Sequence, residues 1–306
     1  MNKTRLDKMG LTSEAEQKDK KAENIKKIVE YVNSSDISSI KTIVSGLIAI
    51  LNDPKSTAKD LKDLIQLDPP ISGKILRVAN SIYYASQSKV DSIEKAIIWL
   101  GYNTVRDITI RQKTSELFSS NDMLEGFNVN DLWKYSVSVA HFAKMIFRRE
   151  FRDKGDTIYT AGLLHKLGLI AEIQSIKKTF VALLEQSNTS GINLMQLEEK
   201  KLGFNHAELG MHITKSWALP DDISEAIAYH SNPYKVSHAY FKNAATLYLA
   251  AALCRESDIG YYQATPLDES ILRKCQYDLK IDRDGLNMIR EEGKQEIMDM
   301  IQKGAL

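Results

Sequence analysis

Cysteine is scarce in this chain of 306 residues. Cys254 and Cys275 are its only two, far apart and in no C-x-x-C spacing. That excludes a disulfide framework and a thiol-rich metal site, and reads as two reduced thiols, with Cys254 a small core residue. Long apolar runs are also missing. The longest, Ala244–Cys254, includes Thr246 and is far short of the ~20 residues a membrane span needs. The N-terminal MNKTRLDKMG has no apolar h-region, so no signal peptide is expected and the chain is placed in the cytoplasm. Charge of one sign is missing too. Forty-one Lys and Arg face 40 Asp and Glu for a net charge of +1, not the broad basic surface of a nucleic-acid binder, and no nucleic-acid partner or membrane insertion is expected. Neither G-x-G-x-x-G nor G-x-x-x-x-G-K-[ST] occurs, so no cofactor loop is present.

What is present is helical periodicity. Apolar residues make up 43% and charged residues 26%, ordinary for a folded chain with a sizeable core. Residues 1–30 hold fourteen charged side chains and are expected as a solvated or frayed extension through the first twenty, with an amphipathic helix from Ile25. Ile43, Leu47, Ile48 and Leu51 then recur at helical spacing up to Asn52-Asp53-Pro54. Ser56 or Thr57 caps a helix with Leu61, Leu64 and Ile65, and Asp68-Pro69-Pro70 opens another through Ile71, Ile75, Leu76 and Ala79. Ser92 caps Ile93–Leu100, with Gly101 at the left-handed C-terminal position. TVRDITI (104–110) is β-branched but set among helices, and is assigned helix.

The turn-rich 118–130 separates two halves. Beyond it, helices are expected at 132–147, 157–167, 173–184, 206–217, 223–229 and 239–254, and an amphipathic helix at 285–303, weakened by Gly293. No alternating strand pattern or fixed-period repeat recurs, so the fold class is all-α. Trp99, Trp133 and Trp217 fall at apolar helical positions and are expected in the core.

All six histidines lie in the second half, and three have distinctive surroundings: His165 in GLLHKLG, His206 in HAELG and His230 in AIAYHSNPY. Spacing alone does not make these a metal site. Residues 68–108, from DPPISGKILRVANSIYYAS to SIEKAIIWLG, followed in order by LWKYSVSVA, AGLLHKLG, HAELGMHITKSWALPDDISEAI and AYH, resemble the HDOD family over roughly residues 38–255. That resemblance implies a two-lobe, all-helical protein, with an N-terminal lobe carrying the family signature (36–125) and an HD-like helical bundle (126–256); outside it, the sequence pattern adds a charged extension (1–35) and a C-terminal helical extension (257–306). The resemblance also implies a degenerate relative of HD and HD-GYP metal-dependent phosphohydrolases, whose His and Asp side chains hold metal ions that activate water.

Carried over position by position, the resemblance puts Tyr135 where the enzymes have a first histidine, and Lys166 after His165 where they have the aspartate of the H-D pair. His206 and His230 match histidines, Ser231 replaces a second one, and Ala250 to Ala252 stand near a final metal aspartate. No catalytic residue and no cofactor is expected. If a divalent metal ion binds at all, its ligands are His165, His206 and His230. Lys166 is expected to reach solvent near Gly168, complementing a helix dipole; its alternative is a buried ammonium standing in for the lost metal charge. Arg77, Asn80, Ser81, Tyr83, Tyr84 and Arg106 form the polar part of the signature, either a docking surface or caps and packing. The expected function is a non-catalytic bacterial signal-transduction module that binds other proteins of two-component, chemotaxis or cyclic-dinucleotide pathways. Alternatives are a phosphohydrolase with residual activity, or a nucleotide or cyclic-dinucleotide sensor using the vestigial pocket.

Overall fold

The computed structural model describes residues 14–35, 37–53, 55–81, 90–118, 127–259 and 267–302. Among them there are helices and no strand. In the first half, α1 (Glu14–Ser34), α2 (Ile37–Asn52), α3 (Ala58–Gln66), α4 (Pro69–Ala79), α5 (Ile93–Leu100) and α6 (Tyr102–Ser115) follow one another. Their boundaries follow from local chemistry. The Asp60 carboxylate accepts from the Thr57 N–H at 2.7 Å, Asp68 accepts from the Ile71 N–H at 3.1 Å ahead of two prolines, and Ser92 accepts from the Lys95 N–H at 3.2 Å. Gly101 turns the chain from α5 into α6 at φ +85°, a conformation costly for any residue with a Cβ.

The second half comprises α7 (Val129–Glu150), α8 (Asp156–Leu164), α9 (Leu167–Ser175), α10 (Lys177–Ser190), α11 (Leu194–Leu202), α12 (His206–Ser216), α13 (Asp221–Tyr229) and α14 (Phe241–Glu256), then α15 (Glu269–Leu279) and α16 (Arg283–Gln302). Helix α7 is the axis, packed by α8, α14 and α16, while α12 packs on α9 and α13. Every residue from Ala244 to Cys254 of α14 is buried, which marks a helix enclosed on all faces. One continuous apolar cluster runs from Ile25 of α1 to Ile297 of α16 and joins the two halves. No helix among the described residues is long and apolar enough to cross a membrane.

Several expectations change. Helix α1 starts at Glu14, eleven residues before Ile25, and buries Ile25, Ile28 and Val32 against α2, α9 and α12. Its Lys21 pairs with Glu208 at 2.7 Å, and Asn33 accepts from the Trp217 indole at 3.0 Å. The helix expected over 173–184 is two helices broken at Ile176, and α11 and α15 were not anticipated. Trp133 and Trp217 are buried, but Trp99 is 46% exposed. Helix α5 spans two turns and buries the i, i+3, i+4 stripe Ile93, Ala96 and Ile97, which turns Ile98 and Trp99 outward.

Candidate functional site

The second half gathers four of the residues singled out by sequence into one buried cluster. Helix α8 ends at Leu164, leaving His165 and Lys166 in the turn before α9; His206 opens α12; His230 follows the last turn of α13. The turn at Lys166 is close to α12 because Gly168 has no side chain: a Cβ there would land on the carbonyl oxygen of His206. Tyr135 of α7 is buried beside His165, ring centroids 5.5 Å apart. The His165 and His230 rings meet edge-on at 5.1 Å, and those of His206 and His230 are 6.3 Å apart.

Hydrogen bonds fix the tautomers. Nδ1 of His165 donates to the Gly162 carbonyl at 2.6 Å, Nδ1 of His230 to the Ile227 carbonyl at 2.7 Å, and Nδ1 of His206 to the Glu198 carboxylate at 2.8 Å. Each ring is therefore protonated at Nδ1 when neutral and presents Nε2 as an acceptor. Lys166 fills the space between two of them, its Nζ 3.0 Å from Nε2 of His230 and 3.4 Å from Nε2 of His206. Nε2 of His165 is buried with no hydrogen-bond partner among the described residues.

Lys166 is 1% exposed, so the expectation that it reaches solvent is overturned. The HK turn does not carry the side chain off the end of α8; it folds inward between α12 and α13. Burial lowers the Lys166 pKa from 10.5 to about 7, with the Glu198 carboxylate opposing the shift. Burial, and next the charge of Lys166, hold His165 and His230 well below the ordinary histidine range. His206 is also lowered by burial, against the pull of Glu198. The imidazoles are thus kept neutral, and the cluster's charges are one amine and one carboxylate.

Two acidic members were not anticipated. Glu198 lies on α11 and also accepts the backbone N–H of His206 at 2.8 Å, holding α11 to the start of α12. Glu172 of α9 is fully buried; burial and then the neighbouring Glu198 charge raise its pKa well above the usual carboxyl range. The lone glutamate inside the apolar run LGLIAEI was a readable signal for it, and QLEEKKLG, with Leu194 and Leu197 ahead of a glycine, was one for α11.

Ser231 does not join the cluster. It is half-buried and lines a separate pocket of about 500 Å³ with Asn205, Glu208 and Tyr229. Ala250 to Ala252 are buried on α14 and offer no ligand atom beyond the backbone. Among the described residues, no group of three or more His, Cys, Asp and Glu side chains is arranged to hold a metal ion. The reason is visible in the geometry: two of the three converging imidazole nitrogens already face the Lys166 amine.

The polar residues of the first half are scattered. Arg77 is exposed at the end of α4. Asn80 caps α4 and pins the chain with two bonds to Val90, at 2.7 and 2.9 Å, and Ser81 donates to the Val78 carbonyl at 2.7 Å. Arg106 is 3% exposed and cannot belong to a docking surface: it bonds Asp156 and Asp107 inside the seam between the halves, where a paired guanidinium is tolerated. Tyr83 and Tyr84 lie outside the described residues.

The HDOD domain family model matches residues 37–233. A Geobacter sulfurreducens HDOD domain protein of unknown function is 25% identical, covers 83% of this chain and 90% of its own, and superposes with a TM-score of 0.69. A Marinobacter aquaeolei protein provisionally named for signal transduction has a TM-score of 0.77 at 21% identity, covering 97% of this chain and 67% of its own. A Shewanella amazonensis protein provisionally named a phosphohydrolase has a TM-score of 0.66 at 21% identity, over 92% of this chain and 95% of its own. An uncharacterized Treponema pallidum protein is 22% identical over 204 residues, 64% of this chain; the chain spans 38% of that relative's length.

Proposed function

The chain belongs to the HDOD domain family, and from that membership we propose that it is a non-catalytic bacterial signalling module that works by binding other regulatory proteins. The observation that carries the reading is Lys166, with its Nζ seated between the Nε2 atoms of His206 and His230. Metal-dependent phosphoester hydrolysis needs a cation to polarise the phosphoryl group and to lower the pKa of the attacking water. As an ammonium, the form that prevails below about pH 7, Lys166 supplies no lone pair and repels each unit of positive charge by about 4 kcal/mol at ~4 Å and an effective dielectric of ~20; in either form its side chain occupies the space between the two imidazole nitrogens. The residues present therefore do not fit a divalent ion, and no catalytic step is derived through one. Enclosure supports the same reading, because a side chain as buried as Lys166 does not meet a substrate.

Two relatives by fold are named for opposite roles, signalling and hydrolysis. The lysine favours the first. Binding surface is available on the first half, where Ile98 is 84% exposed beside Trp99, and where Arg77 is also exposed. Partners in two-component, chemotaxis or cyclic-dinucleotide signalling are the expected class.

One preparation of the full chain tests the reading. After incubation with Mn²⁺ and Zn²⁺ and removal of excess ion, elemental analysis is expected to find no stoichiometric metal, and bis(p-nitrophenyl) phosphate is expected to show no turnover. The same material as bait is expected to retain a signalling protein. Stoichiometric metal together with turnover would sink the non-catalytic reading.

A further inference from the structure

Away from the histidine cluster, on the seam between the halves, lies a cavity of about 170 Å³. Arg111 enters it from α6. His141, Lys144 and Arg148 enter from α7, where spacings of three and four residues place them on one face. Met300 of α16 closes it. A second cavity of about 440 Å³ shares His141, Lys144 and Arg148 and adds Met145, Arg149, Glu292 and Glu296.

The charges here do not cancel. Asp107, the carboxylate lining the smaller cavity, is taken by Lys144 at 2.5 Å and Arg106 at 2.8 Å, and Lys144 also reaches Asp156 at 3.4 Å. Arg149 pairs with Glu292, and His141 with Glu296 at 2.8 Å. That leaves two guanidiniums. Among the described residues Arg111 donates only to the sulfur of Met300, at 3.4 Å, a weak acceptor for so strong a donor. Arg148 makes no ion pair at contact distance among the described residues, although its charge acts on Glu296 across the adjoining cavity. One comes from each half, and both line the same small cavity.

We infer that this seam is a binding site for a phosphomonoester, with Arg111 and Arg148 gripping the phosphoryl group. Two guanidinium forks without a carboxylate at ion-pair distance present several N–H donors to one point, which suits the three acceptor oxygens of a phosphoryl group better than the two of a carboxylate. The smaller cavity lies below the ~300–1,000 Å³ usual for a whole organic ligand, so it takes the head group and the adjoining cavity takes the body. There Glu292 and Glu296 can accept from hydroxyls while Met145 offers apolar contact, which fits a sugar or nucleoside. A bound phosphoryl group would bridge α6 and α7, and so the two halves. The site is independent of the histidine cluster.

Calorimetric titration of the full chain, in buffer free of phosphate and sulfate, tests this with inorganic phosphate and AMP as probes. Saturable binding of both is expected, AMP the tighter, with affinity falling about tenfold or more in Arg111→Gln and Arg148→Gln and unchanged in the distant Lys235→Gln. Arg148 is exposed, so Arg148→Gln decides the matter even if Arg111→Gln fails to fold. No saturable binding up to about 10 mM, or binding that Arg148→Gln leaves intact, overturns the proposal. AMP binding no tighter than phosphate overturns the assignment of the larger cavity.

Discussion

Burial works against charge at Lys166, and the consequence is a pH-dependent stability. In the unfolded chain the lysine holds its proton up to about pH 10.5, whereas in the fold it releases it near pH 7. Between those values the unfolded state carries the extra proton, so this residue makes stability rise with pH across that window. Its cost is full below about pH 7 and gone above about pH 10.5, roughly 5 kcal/mol at the limit. Glu172 runs the other way: its raised pKa means that stability is lost as pH climbs above the ordinary carboxyl range. Lys166→Met keeps Glu172 and removes only the amine. Its melting temperature is expected to exceed wild type clearly at about pH 6, with the gap closing toward about pH 9 and beyond; a gap independent of pH would refute the assignment. At this scale the sequence singled out the histidines that cluster in the fold, since His165, His206 and His230 stand in distinctive phrases. It did not show Glu198, because α11 was not anticipated, nor that Lys166 points inward, because a turn residue can face either way until α12 and α13 are in place.

Among the elements, glycines reverse what helix propensity suggests. Gly293 read as a weak point in the C-terminal helix, but it is where α16 lies against the ring of Phe142 on α7: a Cβ there would press into that ring. Gly162 of α8 meets the backbone of Ala140 on α7 in the same manner. Gly73 of α4 has open space around it and no positive φ. Propensity alone gains ~1 kcal/mol for Gly→Ala in a helix interior, whereas overpacking costs ~1–3 kcal/mol. Chemical denaturation is thus expected to show Gly73→Ala more stable by about 0.5–1 kcal/mol and Gly293→Ala less stable than wild type. If Gly293→Ala were also stabilising, the close α7–α16 contact would be wrong. Helix α6 shows the opposite balance: β-branched TVRDITI suits a strand, yet it is helical, because the residues around it leave no strand to pair with and its face is buried.

For the molecule as a whole, the two halves are held by shared apolar surface and by one buried ionic clasp. Arg106 of α6 reaches Asp156 at the start of α8 at 2.5 Å, and Asp107 reaches Lys144 of α7 at 2.5 Å. Replacing Arg106 leaves two largely enclosed carboxylates, Asp107 and Asp156, to share Lys144 alone, and an unmatched buried charge costs up to ~3–5 kcal/mol. Arg106→Met is therefore expected to shift urea unfolding to lower denaturant by that order, monitored by tryptophan fluorescence. A change within ~1 kcal/mol would mean the clasp is solvated and contributes little. Helix α1 adds to the joining, since it is not a loose extension but packs on α2 of one half and α9 and α12 of the other.

The sequence by itself determined the all-helical class, most helix positions, the family and three of the clustered histidines. Those properties reside in periodicity, caps and short phrases, which are local. The tertiary structure decided which way Lys166 faces, that Glu198 and Glu172 join the cluster, that Arg106 is buried while Trp99 is exposed, and that Arg111 and Arg148 line one cavity. Each of these depends on which surfaces of distant helices come together, and charge and burial are properties of that meeting rather than of any one segment.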